Sequence, residues 1–101
     1  MTIATRADIG TMIARDPEIR GNRPRIAGTG VTVARIIGWY KLGLTAEEIA
    51  DEIGHINLAQ VYAALAYYHA NREEIDQDMV EDEAAARSLE NLHGLPHIQR
   101  Q

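Results

Sequence analysis

Residues 44–60, LTAEEIADEIGHINLAQ, constrain the fold more than any other stretch of this chain. They hold two helix starts with one helix stop between them. Thr45 is followed three residues later by Glu48, and Asn57 by Gln60. In each pair the first side chain can accept from an orphan backbone N–H of a new helix, and the second can reach back to the capping residue. Gly54 suits the left-handed residue that closes a helix. Glu47 and Glu48 lie where the helix dipole favours negative charge. Such punctuation obliges the chain to turn from one short helix directly into another.

The apolar spacing supplies the neighbours. Val33, Ile36, Ile37 and Tyr40 predict a preceding helix over 33–42, closed by Gly43. Ile49, Ala50 and Ile53 stripe the second helix. The third begins at Leu58, with Leu58, Val61, Tyr62, Leu65, Tyr68 and Arg72 on its inward face. No stop signal interrupts it at Asn71. Ile75, Met79, Ala86 and Leu89 carry a thin stripe on to Leu92, a helix of about 50 Å at 1.5 Å per residue. That outruns the core a 101-residue chain can build, so the acidic far end is expected to project and to need a partner. Upstream, Ile9, Met12 and Ile13 show weak helical periodicity that breaks at Asp16-Pro17. Residues 19–33 read as a short β-ribbon turning at Ala27-Gly28-Thr29-Gly30. The expected fold is mainly α. It has a three-helix, helix-turn-helix (homeodomain-like) core with a short N-terminal β-ribbon and a long projecting C-terminal helix. Ribbon and core take residues 1–76; the acidic extension and a frayed tail, HGLPHIQRQ, take 77–101.

Charge is divided along the chain. Residues 1–41 hold seven Arg/Lys against three Asp/Glu, whereas residues 42–101 hold three against twelve, for a net charge of −5. Such asymmetry suggests surfaces for different partners. In a helix-turn-helix, Asn57, Ala59, Gln60, Ala63 and Tyr67 would face the major groove, where Asn and Gln can read adenine. The third helix has no Lys or Arg before Arg72, so phosphate neutralisation would fall to Arg20, Arg23, Arg25 and Arg35 beside the ribbon. Asn57 and Gln60 also read simply as caps, and the arginines as a solvated edge. On the arm reading, reversing Arg23 and Arg25 to Glu abolishes DNA binding and leaves the fold intact.

Catalysis finds little support. AGTG offers a Gly-x-Gly with neither a third glycine nor a following Gly-Lys-Ser/Thr, so backbone turning is the better reading. His93 and His97 are separated by Gly94 and Pro96, His55 lies in a turn and His69 on the long helix, which leaves no metal-ligand spacing. Glu47, Glu48, Asp51 and Glu52 form one charged helix face without a nucleophile to serve. The expectation is a non-enzyme with no cofactor and no metal. The chain lacks cysteine, an apolar signal-like run and a membrane-length segment, and is expected to be cytoplasmic.

Two motifs together carry a resemblance. Gly21, Pro24, Ile26, Gly28 and Thr29, followed by Gly43, Thr45, Glu47, Glu48 and Ile49, resemble the domain-of-unknown-function family 433 over residues 16–76. That family is similar to antitoxins paired with PIN-like ribonuclease toxins. The resemblance implies a homodimer that binds operator DNA through its basic N-terminal portion, represses its own operon and neutralises the toxin with a C-terminal segment. Carried onto this chain, that segment would dock Ile75, Met79, Ala86 and Leu89 in a groove of the toxin, with Arg87 reaching its acidic site. One position departs. Gly30 stands where the family usually has Arg, so Arg25 or Arg35 would have to substitute. The alternative is a non-DNA-binding protein–protein interaction or homodimerisation module, in which the same stripe joins two copies.

Overall fold

Ile26 organises the N-terminal segment. In a computed structural model, which describes residues 6–92, it is fully buried and lies in strand β2 (Arg25–Ile26). Its N–H donates to Val31 O at 2.8 Å, and Thr29 N–H donates to Ile26 O at 3.0 Å. These bonds close the return around residues 27–30, where Gly28 sits at φ +80°. The anticipated ribbon turn is therefore present, but its sheet partner lies upstream. Strand β1 (Ile13–Ala14) pairs antiparallel with β2, in the register Ile13 to Ile26 and Ala14 to Arg25.

Among the described residues, the weak helix expected before residue 18 does not form. Asp8 Oδ1 accepts from Gly10 N–H at 3.0 Å and initiates only a 3₁₀ turn, Ile9–Thr11. Ile9 stays exposed and Ile13 is the residue held against the core, through its pairing with β2. Periodicity in three residues could not compete with a sheet contact supplied from thirteen positions downstream.

Three short helices follow as anticipated. Helix α1 (Val33–Lys41) starts at Thr32, whose Oγ1 accepts from Arg35 N–H at 3.1 Å, and buries Val33, Ile36 and Ile37. Tyr40, placed on the core face by its spacing, lies exposed near the helix end. Helix α2 (Ala46–Ile53) begins with the complete Thr45–Glu48 capping box and ends at Gly54, φ +90°. Helix α3 (Leu58–Ala70) begins with the Asn57–Gln60 box. Its inner face is Val61, Ala64 and Tyr68, with Ala63 also buried. Leu58 and Tyr62, expected inside, are 36% and 53% exposed. Residues 58–70 contain no Asp, Glu, Lys or Arg, so polarity gives little guide to which face turns inward. Val61 and Tyr68 are buried and Leu65 packs against the core as expected, while Ala63 and Ala64 are buried where Leu58 and Tyr62 are not.

The largest departure is at Asn71. The long helix does not continue: Asn71 has φ −140° and ψ 51°, and helix α4 (Arg72–Leu92) starts beyond it. Asn71 Nδ2 donates to Tyr67 O at 3.1 Å and its N–H to Tyr68 O at 3.0 Å, satisfying carbonyls at the end of α3. The break turns α4 back along α1, placing Ile75 fully inside the core and Met79 against it. Burying Ile75 stabilises by roughly 1.5–3 kcal/mol, which a straight helix would forgo. Side-chain contacts with the ribbon run on to Asp82, past the division expected at residue 76, and every described side chain from Glu81 to Asn91 is exposed. The tail with His93 and His97 lies outside the described residues.

Candidate binding surfaces

The two charged halves of the sequence are folded onto each other. Glu74 pairs with Arg15, Asp76 with Lys41 at 3.1 Å, and Arg23 meets Asp78, Glu81 and Asp82 at 3.6, 3.0 and 2.5 Å. All five carboxylates lie on the first three turns of α4. Two adjacent tyrosines of α3 join these clamps. Tyr67 Oη accepts from Arg15 and donates to Glu74 at 2.7 Å, while Tyr68 Oη donates to Asp76 at 3.0 Å beneath Lys41 and Arg72. Sequence reasoning singled out none of Arg15, Lys41, Tyr67 or Tyr68 as a clamp. Their partners are 7 to 59 residues away, and no local pattern links them.

The titration of these groups follows from their contacts. Hydrogen bonds from Lys41 and Tyr68 hold Asp76 below the usual carboxylate range, and those from Gln77 and Arg23 do the same for Glu81. Burial pushes Asp78 up, only partly offset by Arg23. Burial would lower Arg23, but hydrogen bonds to Asp82 and Glu81 outweigh it and raise the guanidinium's pKa. Arg23 is thus held mainly by Asp82 and Glu81, with Asp78 the loosest of the three. Asp76 and Glu81 contribute stability that is present above the ordinary carboxylate pKa and lost as pH falls through their lower folded values. Thermal melts are therefore expected to show Tm falling below about pH 4, with Asp78 acting in the opposite sense. Asp76→Asn should flatten that fall; an unchanged profile would remove Asp76 from the clamp.

The anticipated site residues are distributed unevenly. Arg25 is 8% exposed, and its Nε and Nη1 are buried without a hydrogen-bond partner, so it is not presented to DNA. Arg23 is engaged by α4. Arg20 and Arg35 remain exposed on one groove shared with Arg23, Gly30, Glu81 and Asp82. Arg20 Nε donates to Gly30 O at 3.0 Å, and a Cβ at position 30 would come 3.1 Å from its Nη2. The arginine lying against Gly30 is therefore Arg20, not Arg25 or Arg35. Asn57 Oδ1 and Gln60 Oε1 are occupied by the capping box, leaving only their amide donors free for bases. Ala63 is buried and Tyr67 half-buried, so neither lines an outer face. Of the partner stripe, Ile75 is fully buried in this chain's own core and Met79 packs against it; Ala86, Arg87 and Leu89 stand exposed. Among the described residues, no group of three or more His/Cys/Asp/Glu is placed to hold a metal ion, and no helix is long and apolar enough to cross a membrane.

A β-ribbon, a three-helix core and an appended acidic helix define a small, mainly α module. The chain belongs to the family described as "Protein of unknown function (DUF433)", matched over residues 13–68. The match begins with β1 and ends inside α3, so α4 lies beyond it. The crystal structure of a DUF433 member protein from Anabaena variabilis ATCC 29413 is similar, with a TM-score of 0.65 and 24% sequence identity over 69% of each chain. That likeness concerns the fold. No curated protein matches the chain.

Proposed function

We propose that the protein is a non-enzymatic antitoxin that neutralises a PIN-like ribonuclease and represses its own operon as a homodimer. The observation that carries this reading is the division of α4. Its first three turns are tied to the core, while residues 83–91 extend away with every side chain exposed. A helical segment that touches no core is marginal in water, and an amphipathic helix docking in a groove is a common way to stabilise one. Ala86 and Leu89 lie at i, i+3 spacing and form the docking stripe, with Arg87 beside it reaching for an acidic site. Operator contact falls to Arg20 and Arg35, the exposed arginines of the ribbon and α1.

The alternative module without DNA contacts has an observation in its favour. The exposed part of α3 offers Leu58 and Tyr62 and no cation, a surface better suited to protein than to phosphate. Ribonuclease inhibition tests the leading reading. Ala86→Asp/Leu89→Asp is expected to weaken inhibition by about tenfold or more with an unchanged melt. Undiminished inhibition would refute capture by the distal helix.

A further inference from the structure

Arg23 is ringed by three carboxylates of α4. Spaced anionic oxygens approach its guanidinium from Asp82 at 2.5 Å, Glu81 at 3.0 Å and Asp78 at 3.6 Å. The groove beside it also contains Arg20 and Arg35, whose side chains meet no carboxylate among the ion pairs of the described residues. Backbone donors contribute little here. At the start of α1, Val33 N–H already donates to Pro24 O and Arg35 N–H to Thr32 Oγ1, so anion affinity rests on the guanidinium groups.

We propose that Arg20, Arg23 and Arg35 form a phosphate-binding groove for a nucleic-acid backbone, and that Glu81 and Asp82 occupy part of it as an internal competitor. This rests on the DNA-binding half of the reading above and adds the site and what limits its affinity. Three features favour it. First, the side chains of Glu81 and Asp82 are 55% and 53% exposed, so incoming phosphates can displace them without moving Ile75 from the core. Second, Asp78 is only 15% exposed and stays behind as a residual partner that holds Arg23 in the groove. Third, Gly30 leaves room for the Arg20 guanidinium over the turn, and both residues line the same groove. The acidic run of α4 therefore lowers nucleic-acid affinity at a surface that would otherwise present three clustered arginines.

The test is fluorescence anisotropy of the full chain on its own upstream duplex and on a scrambled one, at about 50 and 200 mM salt. Glu81→Gln/Asp82→Asn is expected to tighten binding to both duplexes by about threefold or more at the lower salt. It should also steepen the salt slope by about one, the signature of one further phosphate contact. Arg20→Glu/Arg35→Glu is expected to weaken binding about tenfold. Asp78 is left in place so that Arg23 keeps a partner, and Glu81→Gln alone serves as a milder second variant. If the wild type binds and neither acidic variant binds more tightly, the competitor is refuted while the DNA reading stands. If the acidic variants tighten binding but the arginine reversal changes nothing, the groove is misplaced. If no form of the chain binds either duplex at either salt, the DNA reading itself fails and takes this proposal with it.

Discussion

Ending the chain at Asn71 is expected to abolish cooperative unfolding, whereas ending it at Asp82 is expected to leave the melt nearly unchanged. The two products differ by eleven residues, and the difference lies in what those residues bury. Ile75 is fully buried among the side chains of the three-helix core, and Met79 packs against it. Truncating a buried isoleucine to alanine alone removes about 2–5 kcal/mol. Deleting the segment also uncovers the apolar surface it shields and strands Arg15, Arg23 and Lys41 without their carboxylates. A small domain has only about 5–15 kcal/mol to lose. Beyond Asp82, by contrast, every described side chain is exposed, so its removal takes nothing from the core. Differential scanning calorimetry of the two truncations decides the matter. A 1–71 product melting like the full chain would mean that α4 is an accessory to the fold.

The second large effect concerns Arg25, where opposite substitutions are expected to diverge. Arg25→Met should leave stability unchanged or raise it; Arg25→Glu should remove about 3–5 kcal/mol. Arg25 lies in β2, 8% exposed, with Nε and Nη1 buried and unpartnered. Each unsatisfied buried donor carries a penalty of about 1–3 kcal/mol, which methionine removes while retaining a flexible apolar stem. Glutamate instead places a carboxylate where no cation is provided for it. Urea denaturation measures both. A loss of more than about 2 kcal/mol on Arg25→Met would show that the guanidinium performs a stabilising task. The Arg23/Arg25 double reversal, which sequence reasoning offers as a clean test of DNA binding, is expected to unfold the chain. Arg20 and Arg35 are the pair to reverse.

These two results mark where the sequence is legible and where it is not. Thr45 with Glu48, Asn57 with Gln60, and the glycines at 43 and 54 act within one helical turn, and each is found in the role its local chemistry predicts. The break at Asn71 carries no comparable signal. It follows from the gain in folding Ile75 back onto α1, a contact that exists only once the other helices have assembled. Strand β1 is hidden for the same reason, since Ile13 becomes a strand residue only when Ile26 is there to pair with it. On α3 the absence of Asp, Glu, Lys and Arg from Leu58 to Ala70 leaves the width of the inner face undefined; Val61 and Tyr68 lie inside as their spacing predicts, but two alanines are buried beside them and Leu58 and Tyr62 are not. The split in charge between the halves was visible. That Arg23 would meet Asp78, Glu81 and Asp82 was not, because 55 to 59 residues separate them. Of the expected partner stripe, the half nearest the core was claimed by the core itself.

On the proposed reading α4 has two tasks: its first three turns complete the fold, and the exposed remainder docks on a partner. The decisive measurement is amide hydrogen exchange across residues 72–91, for the chain alone and mixed with the ribonuclease proposed as its partner. Slow exchange is expected around Ile75 and Met79 in both samples. Fast exchange is expected over residues 84–91 in the free chain, with protection appearing there on complex formation. Equal protection along the whole of α4 in the free chain, or a complex that forms without protecting residues 84–91, would contradict that reading.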